Sequence, residues 1–399
     1  MSTFSRRQFV VGSAAALGSL SAAGRTLLWA TPHHGRLPRP DKSGIQHIVV
    51  AMMENRSFDH LLGWLPGADG QQAGLAYTDA SGASFATYPL APDFQGCGHP
   101  DPDHSYDGGR VEYDGGQCDG WLRAGSNDAY AIGYYTQTDL PFLGQAAPGW
   151  TVCDRYFAPI MAPTYPNRIY QHAAVTDRLD DTLSLSTLPT IWDALASAGL
   201  DGRYYFSDLP FIGLWGTQYA GITHTYDDFL QDCADGSLPE VAFVDPPFAG
   251  ESAGTSSDDH PHGDVRAGEA WLNRTYRAVT TGSAFKNTVL VINFDEWGGF
   301  FDHVPPATAP DVEPAFQLRG FRVPCLLVSP FAARGAVAHD VYDHTSVLRM
   351  IEWRWGLPPL SVRDAQANNL AEALDFSRAH RDVPDYAVPS FDSQACPGG

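Results

Sequence analysis

Four stretches of this chain are almost wholly apolar, and each stops abruptly at acids, amides or prolines. Residues 45–53 run into Glu54-Asn55-Arg56-Ser57, and residues 288–294 run into Asp295-Glu296. Residues 323–328 end in Ser329-Pro330, and residues 241–244 end in Asp245-Pro246-Pro247. Continuous apolar runs bounded by such breaks predict strands buried on both faces. Helical spacing fills the intervals: Phe58, Leu61 and Leu62 after the first run, then residues 188–198, 264–281 and 345–355. Strands alternating with helices predict an α/β fold, a mostly parallel sheet with helices on both faces. Ligands of such sheets sit beyond the carboxyl ends of the strands, and the polar clusters fall there.

Residues 66–150 have a different texture, rich in Gly, Asp, Pro and Tyr with little periodicity. They read as a loop-rich insertion laid over the strand ends, forming one wall of the active site. The polar segment from about residue 361 reads as a tail wrapping the surface. One domain over residues 31–399, with insertions, is more economical than two.

Composition narrows the function. The 399 residues carry 46 acids against 25 lysines and arginines, a formal charge of −21. Such a surface repels the phosphate backbone, which excludes nucleic acid as a partner. Glycine and proline are plentiful but follow no period, which excludes collagen and repeat architectures. At the N-terminus, Arg6-Arg7 precede a weakly apolar Ala/Gly/Ser-rich run to Ala30. That order reads as a twin-arginine export signal over residues 1–30, which makes the export machinery a partner and a secreted or periplasmic location the destination. No other run is long enough for a transmembrane anchor. The six cysteines form no Cys-x-x-Cys pair, which argues against a thiolate zinc site. Export permits disulfides; Cys97 and Cys118 bracket a Gly/Asp-rich loop and are the expected bridge. Cys325, inside an apolar run, is expected to be a buried thiol.

The chemistry gathers at the strand ends. Glu54-Asn55 and Asp295-Glu296 each follow a buried strand. Taken singly, such pairs cap the helix that follows; together they can converge on one hard cation, and oxygen donors suit Mg, Mn or Ca. Thr164 lies between Pro163 and Pro166, which fix the backbone and aim its hydroxyl. A hydroxyl beside a cation loses its proton more readily and becomes a nucleophile near neutral pH; the plain alternative is a turn threonine. His260 and His262 share a polar loop that opens a helix, His303 lies seven residues beyond Glu296, and His104 sits in the insertion. Imidazoles near a phosphoryl group can protonate a leaving oxygen or hold a phosphoryl oxygen. His33, His34, His339 and His380 read as surface residues.

Several of these segments, in order, resemble the bacterial phospholipase C and acid phosphatase family of phosphoesterases. The matching text is Glu54-Asn55-Arg56-Ser57-Phe58-Asp59-His60 with Gly63, then Pro163-Thr164-Tyr165-Pro166-Asn167-Arg168, then Asp259-His260-Pro261. It continues through residues 294–306, containing Asp295-Glu296-Trp297-Gly298-Gly299, and His344-Thr345-Ser346 with Leu348-Arg349 and Ile351-Glu352. The resemblance implies an alkaline-phosphatase-like three-layer sandwich. It implies that Glu54, Asn55, Asp295 and Glu296 hold a divalent cation (Mg, Mn, Ca or Zn), with Thr164 as both ligand and nucleophile. His260 would be the acid for the leaving group, with His104 and His303 lining the phosphate pocket. Asn167, Arg168, His262 and Trp297 would contact substrate. His262 departs from the pattern, standing where a less reactive residue is expected. The chain also stops near the end of the catalytic domain, without the C-terminal domains of the larger phospholipases.

The resulting expectation is a metal-dependent phosphodiesterase of phospholipase C type, cleaving the glycerol-side phosphoester through a phosphothreonine. Threonine at the nucleophile position is nearer the phospholipase branch than the phosphatase branch. Trp64, Trp121, Tyr134, Tyr135 and Trp297 are candidates for an aromatic pocket around a cationic head group. No membrane-docking helix or basic patch is apparent, so a soluble, deacylated diester is a variant of the same reading. A phosphomonoesterase is the next alternative, and an inert metal-stabilised secreted binding protein a remote one. The sulfatase motif Cys-x-Pro-x-Arg is absent around Thr164.

Overall fold

The computed structural model describes residues 37–397; the export signal expected over residues 1–30 lies outside them. Eight strands form the central sheet: β1 (His47–Met53), β2 (Thr151–Cys153), β3 (Gly202–Phe206), β4 (Thr223–Thr225), β5 (Val241–Asp245), β6 (Thr288–Phe294), β7 (Cys325–Val328) and β8 (Ala336–Ala338). Their spatial order is β8-β2-β7-β6-β1-β5-β3-β4. All neighbours are parallel except β7, which runs antiparallel to both β6 and β2. The four apolar runs are β7, β6, β1 and β5, the four consecutive strands at the centre of the sheet, and β6 is buried at every position. Short edge strands such as Thr223–Thr225, with a half-exposed pattern, carry no comparable apolar signal.

The helices that cover this sheet are α1 (Phe58–Leu62), α2 (Tyr106–Tyr113), α3 (Thr164–Ala173), α4 (Ile191–Ser197), α5 (Tyr226–Asp235), α6 (Val265–Thr281) and α7 (His344–Trp355). This is the expected α/β sandwich. Side-chain caps start them where the sequence changes from polar to periodic: Asp264 accepts from the Arg266 N–H at α6, and Asp343 and Ser346 form a reciprocal cap on α7. α3 packs on α7 and α4, and α5 packs on α6. The main hydrophobic cluster runs from Ile45 to Tyr386. A second, around Trp121, Trp297 and Phe321, anchors part of the loop-rich insertion.

The cysteine expectation is corrected. Cys97 is bonded to Cys396, 299 residues away, and Cys118 is a buried free thiol. The loop between Cys97 and Cys118 is closed instead by α2 and its caps, which carry Cys118 into the second cluster. Cys325 is a buried thiol as expected. The bridge ties down the C-terminal tail. Its Cys396 N–H donates to the Ala253 carbonyl, the Ser393 hydroxyl donates to the Ser256 carbonyl, and the Gln95 amide donates to both Gly254 and Gln394. The tail therefore braces residues 250–264. Of the histidines assigned to the surface, His339 is half-exposed and reaches Asp154, and His380 is partly buried; His33 and His34 lie outside the described residues.

One buried acid outside the strand ends makes stability depend on pH. Glu269 on α6 accepts the Phe142 and Leu143 N–H groups through one oxygen, while its other oxygen has no partner. Burial pushes its pKa from the usual 4.5 to about 8. The folded state therefore keeps a proton that the unfolded chain loses above pH 4.5, so this group's contribution declines as pH rises towards 8. Glu269→Gln retains the acceptor and cannot ionise. Denaturant unfolding at pH 5, 7 and 9 should show the variant gaining about 2–4 kcal/mol on the parent across that range.

Candidate active site

Register brings the acids together. Met53 of β1 lies opposite Phe294 of β6, and Ala51 lies opposite Val244 of β5. Glu54, Asp295 and Asp245 thus emerge at the carboxyl ends of three adjacent parallel strands. All three are buried, and one guanidinium meets them all. Arg168 Nε lies 3.1 Å from Glu54 and 3.3 Å from Asp295, and its Nη1 lies 3.1 Å from Asp245.

Arg168 comes from α3, and so does Thr164, the first residue of that helix. Pro163 precedes the helix in an extended conformation, and Pro166 occupies the first turn, where a missing N–H costs no helical hydrogen bond. Asn167 braces the turn: it accepts from the Ile160 N–H and donates to the Ala162 and Pro163 carbonyls. Asp181 takes the Tyr165 N–H at 2.7 Å. The Thr164 hydroxyl, held this way, lies 3.4 Å from the Asn55 side-chain oxygen. Asn55 has a φ of 56°, in the left-handed region that asparagine tolerates better than most residues. Its N–H donates to Asp295 at 3.1 Å.

Two of the expected histidines join this group. His104 donates from Nδ1 to the Pro102 carbonyl, which leaves Nε2 to accept from the Asn55 amide at 3.3 Å. His260 is anchored the same way, Nδ1 on the Pro261 carbonyl, with Nε2 3.9 Å from both Asp101 and Glu251. The two rings meet edge to face, centroids 5.7 Å apart. Burial lowers His260 to about 4, so its imidazole is neutral at pH 7, while burial and Asp258 raise Glu251 to about 9. The proton free to move between them sits on the carboxyl, while His260 keeps its Nδ1–H on the Pro261 carbonyl.

The buried charge is unbalanced. Burial, opposed in part by Arg168, lifts Asp295 to about 6. Burial and the Asp295 charge push Glu54 and Glu296 well above the usual carboxylate range. Glu296 accepts from the Gly298 N–H through one oxygen; the other is buried without a partner. A set of carboxylate and amide oxygens with one orphaned acceptor and a single guanidinium fits a divalent cation. Glu54, Glu251 and His260 also bring ligand atoms within 4.8 Å of one another.

A cavity of about 560 Å³ opens over this cluster. Glu54, Thr164 and His260 line its floor, and Tyr165, Phe211, Phe248, Asp181 and Glu251 line its wall. Other expected residues lie elsewhere. His303 binds Asp59 at 2.5 Å, in a separate network with Asp302 and Arg322. Trp297 is buried in the second cluster with its indole on Glu112. Asn167 spends its amide on the backbone, Arg168 spends its guanidinium on the acids, and His262 reaches the His99 carbonyl. The aromatic pocket drawn from Trp64, Trp121, Tyr134, Tyr135 and Trp297 is likewise replaced, since none of the five lines the cavity. Asp245 reads from the sequence only as the polar end of an apolar run, not as a site residue. Glu251 opens a single 3₁₀ turn and Asp181 lies in an irregular loop, and neither gives a periodic signal.

The chain belongs to the phosphoesterase family, whose model matches residues 45–358. It is similar to phospholipase C B of Mycobacterium tuberculosis, at 31% identity over 97% of this chain and 88% of the relative. It is also similar to non-specific phospholipase C6 of Arabidopsis thaliana, at 29% identity over 84% of this chain and 72% of the relative. Among solved structures it is similar to a protein in the alkaline phosphatase superfamily from Vibrio parahaemolyticus. That match has a TM-score of 0.42 and 10% identity, and covers 86% of this chain and 72% of the other.

The turn after Glu296 sets the position of Asn55. Gly298 has a φ of +62°, and a Cβ there would lie 2.0 Å from the Asn55 carbonyl oxygen. Gly298→Ala should displace Asn55 from Thr164 and lower phosphoester turnover about a hundredfold, measured on variant that retains native circular dichroism.

Proposed function

We infer that this chain is an exported, metal-dependent phosphodiesterase of phospholipase C type, one catalytic unit following a twin-arginine signal in residues 1–30. The observation that carries the reading is the Thr164 hydroxyl at 3.4 Å from Asn55, above buried acids that lack a balancing charge. The phospholipase C names of its relatives and threonine at the nucleophile position support a diester with a glycerol leaving group. The Cys97–Cys396 disulfide agrees with an oxidising destination. Among the described residues no helix is long and apolar enough to cross a membrane.

Glu54, Asn55, Asp295, Glu296 and Thr164 would hold the cation. A divalent ion there supplies charge stabilisation for the phosphoryl oxygens and eases ionisation of the hydroxyl. The chain's own groups do the rest. The Thr164 hydroxyl gives its proton to water in the cavity as Oγ1 forms a bond to phosphorus and the bond from phosphorus to the glycerol oxygen breaks opposite it; Oγ1 takes a proton back from water when the phosphothreonine is later cleaved. The N-terminus of α3 presents its positive end to the phosphoryl group. The departing oxygen takes a proton from the His260–Glu251 pair, with His260 Nε2 facing the cavity and Glu251 as the reservoir. The same imidazole then removes a proton from the water that cleaves the phosphothreonine, and the pair regains its proton. His104 orients the Asn55 amide.

Thr164→Val should abolish turnover of p-nitrophenylphosphorylcholine, by about 10⁴-fold or more, with thermal unfolding unchanged; near-parental turnover in that variant removes the covalent step. Chelation should abolish turnover as well, and return of single metals identifies the ion. Faster release from p-nitrophenylphosphate than from the choline diester would reassign the chain to the phosphomonoesterases.

A further inference from the structure

Six large apolar residues stand out as exposed among the described residues; two of them, Leu183 and Leu209, line the cavity, and a third, Leu185, lies two residues from Leu183. Leu183 is 76% exposed, Leu185 68% and Leu209 57%. They lie on two loops that are pinned to each other. The Ser186 N–H donates to the Leu214 carbonyl at 2.8 Å, and the Trp215 indole donates to the Leu188 carbonyl at 2.8 Å. Asp208 fixes the third side by accepting the N–H groups of Leu209, Phe248 and Ala249. Leu183 and Leu209 also line the cavity, so the apolar rim is continuous with the wall above Thr164. Leucines held outward by a hydrogen-bonded frame, beside an open catalytic mouth, are the arrangement that an interfacial surface requires.

The charge around this rim selects what it can meet. Residues 177–188 and 207–216 contain Asp177, Asp180, Asp181 and Asp208 against Arg178 alone. The Arg178 side chain is 6% exposed and paired with Asp177. Asp177, Asp180 and Asp181 are exposed, and the cavity beside them is lined by no lysine or arginine. An anionic bilayer is repelled by such a rim. A zwitterionic layer is not, because its outermost charges are ammonium groups, which exposed carboxylates attract.

Resting on the phospholipase C reading, we propose that Leu183, Leu185 and Leu209 form a docking rim that inserts into the surface of a zwitterionic phospholipid layer. The rim delivers the lipid from the aggregate and makes membrane phospholipid, not a free deacylated diester, the preferred substrate. Insertion leaves the acyl chains in the layer while the head group enters the cavity. No dedicated helix is needed, because the frame between the two loops already presents the leucines.

The test uses the full exported chain and the variant Leu183→Ser/Leu185→Ser/Leu209→Ser, whose substitutions fall on exposed positions. Co-sedimentation with phosphatidylcholine vesicles should capture the parent, and capture should fall about tenfold or more in the variant. Phosphatidylglycerol vesicles should capture the parent less than phosphatidylcholine vesicles do. The ratio of vesicle turnover to p-nitrophenylphosphorylcholine turnover should also drop at least about tenfold in the variant. Equal capture of parent and variant overturns the rim, as does stronger capture by phosphatidylglycerol. A parent dimer in sedimentation equilibrium that the three serines dissolve assigns the leucines to a second copy and overturns it too. Failure of the parent to cleave any choline ester would instead remove the underlying reading, a separate result that the vesicle capture does not share.

Discussion

Three carboxylates buried side by side at the ends of parallel strands repel one another, and the rest of this site is arranged around that repulsion. Glu54, Asp245 and Asp295 cannot be moved apart without shifting strand register, since each directly follows or ends a strand fixed by its neighbours. The guanidinium of Arg168 relieves part of the strain by contacting all three. A planar group with several donors can do this where a lysine ammonium could not. Because Arg168 lies one helical turn beyond Thr164, the electrostatic anchor and the hydroxyl arrive on the same segment. Removing the Arg168 guanidinium from these acids would therefore loosen the placement of the Thr164 hydroxyl as well.

That arrangement also explains why the site is left short of positive charge. One guanidinium stands against Glu54, Asp245, Asp295 and Glu296, and Glu296 keeps an unpartnered oxygen. Glu54 and Glu296 answer the deficit by holding protons more tightly than exposed carboxyls do. Burying so many acids around one cation costs folding stability, which is consistent with a site that accommodates a divalent ion.

Much of this could be read from the chain. The apolar runs that became β1, β5, β6 and β7 are buried on both faces, so their composition alone marks them, and their abrupt polar ends mark the site. The convergence of Asn55, Asp295 and Thr164 followed from the same logic. Contacts decided by side-chain direction did not. His303 and Trp297 sit close in sequence to Glu296, yet one reaches Asp59 and the other packs into an aromatic cluster. The partner of Cys97 was equally hidden, because a link spanning 299 residues has no local signature. Glu251 and the leucine rim belong to a short turn and to irregular loops, whose positions are set by hydrogen bonds to distant backbone rather than by periodicity.

The disulfide makes one side of the site answer to a bond far from the strand ends. The segment bearing Glu251 and His260 is clasped by Ser393 and Cys396. Thr164 and the acids of β1, β5 and β6 are held instead by α3 and by strand register. A reductant that opens Cys97–Cys396 therefore slackens one wall while the other keeps its place.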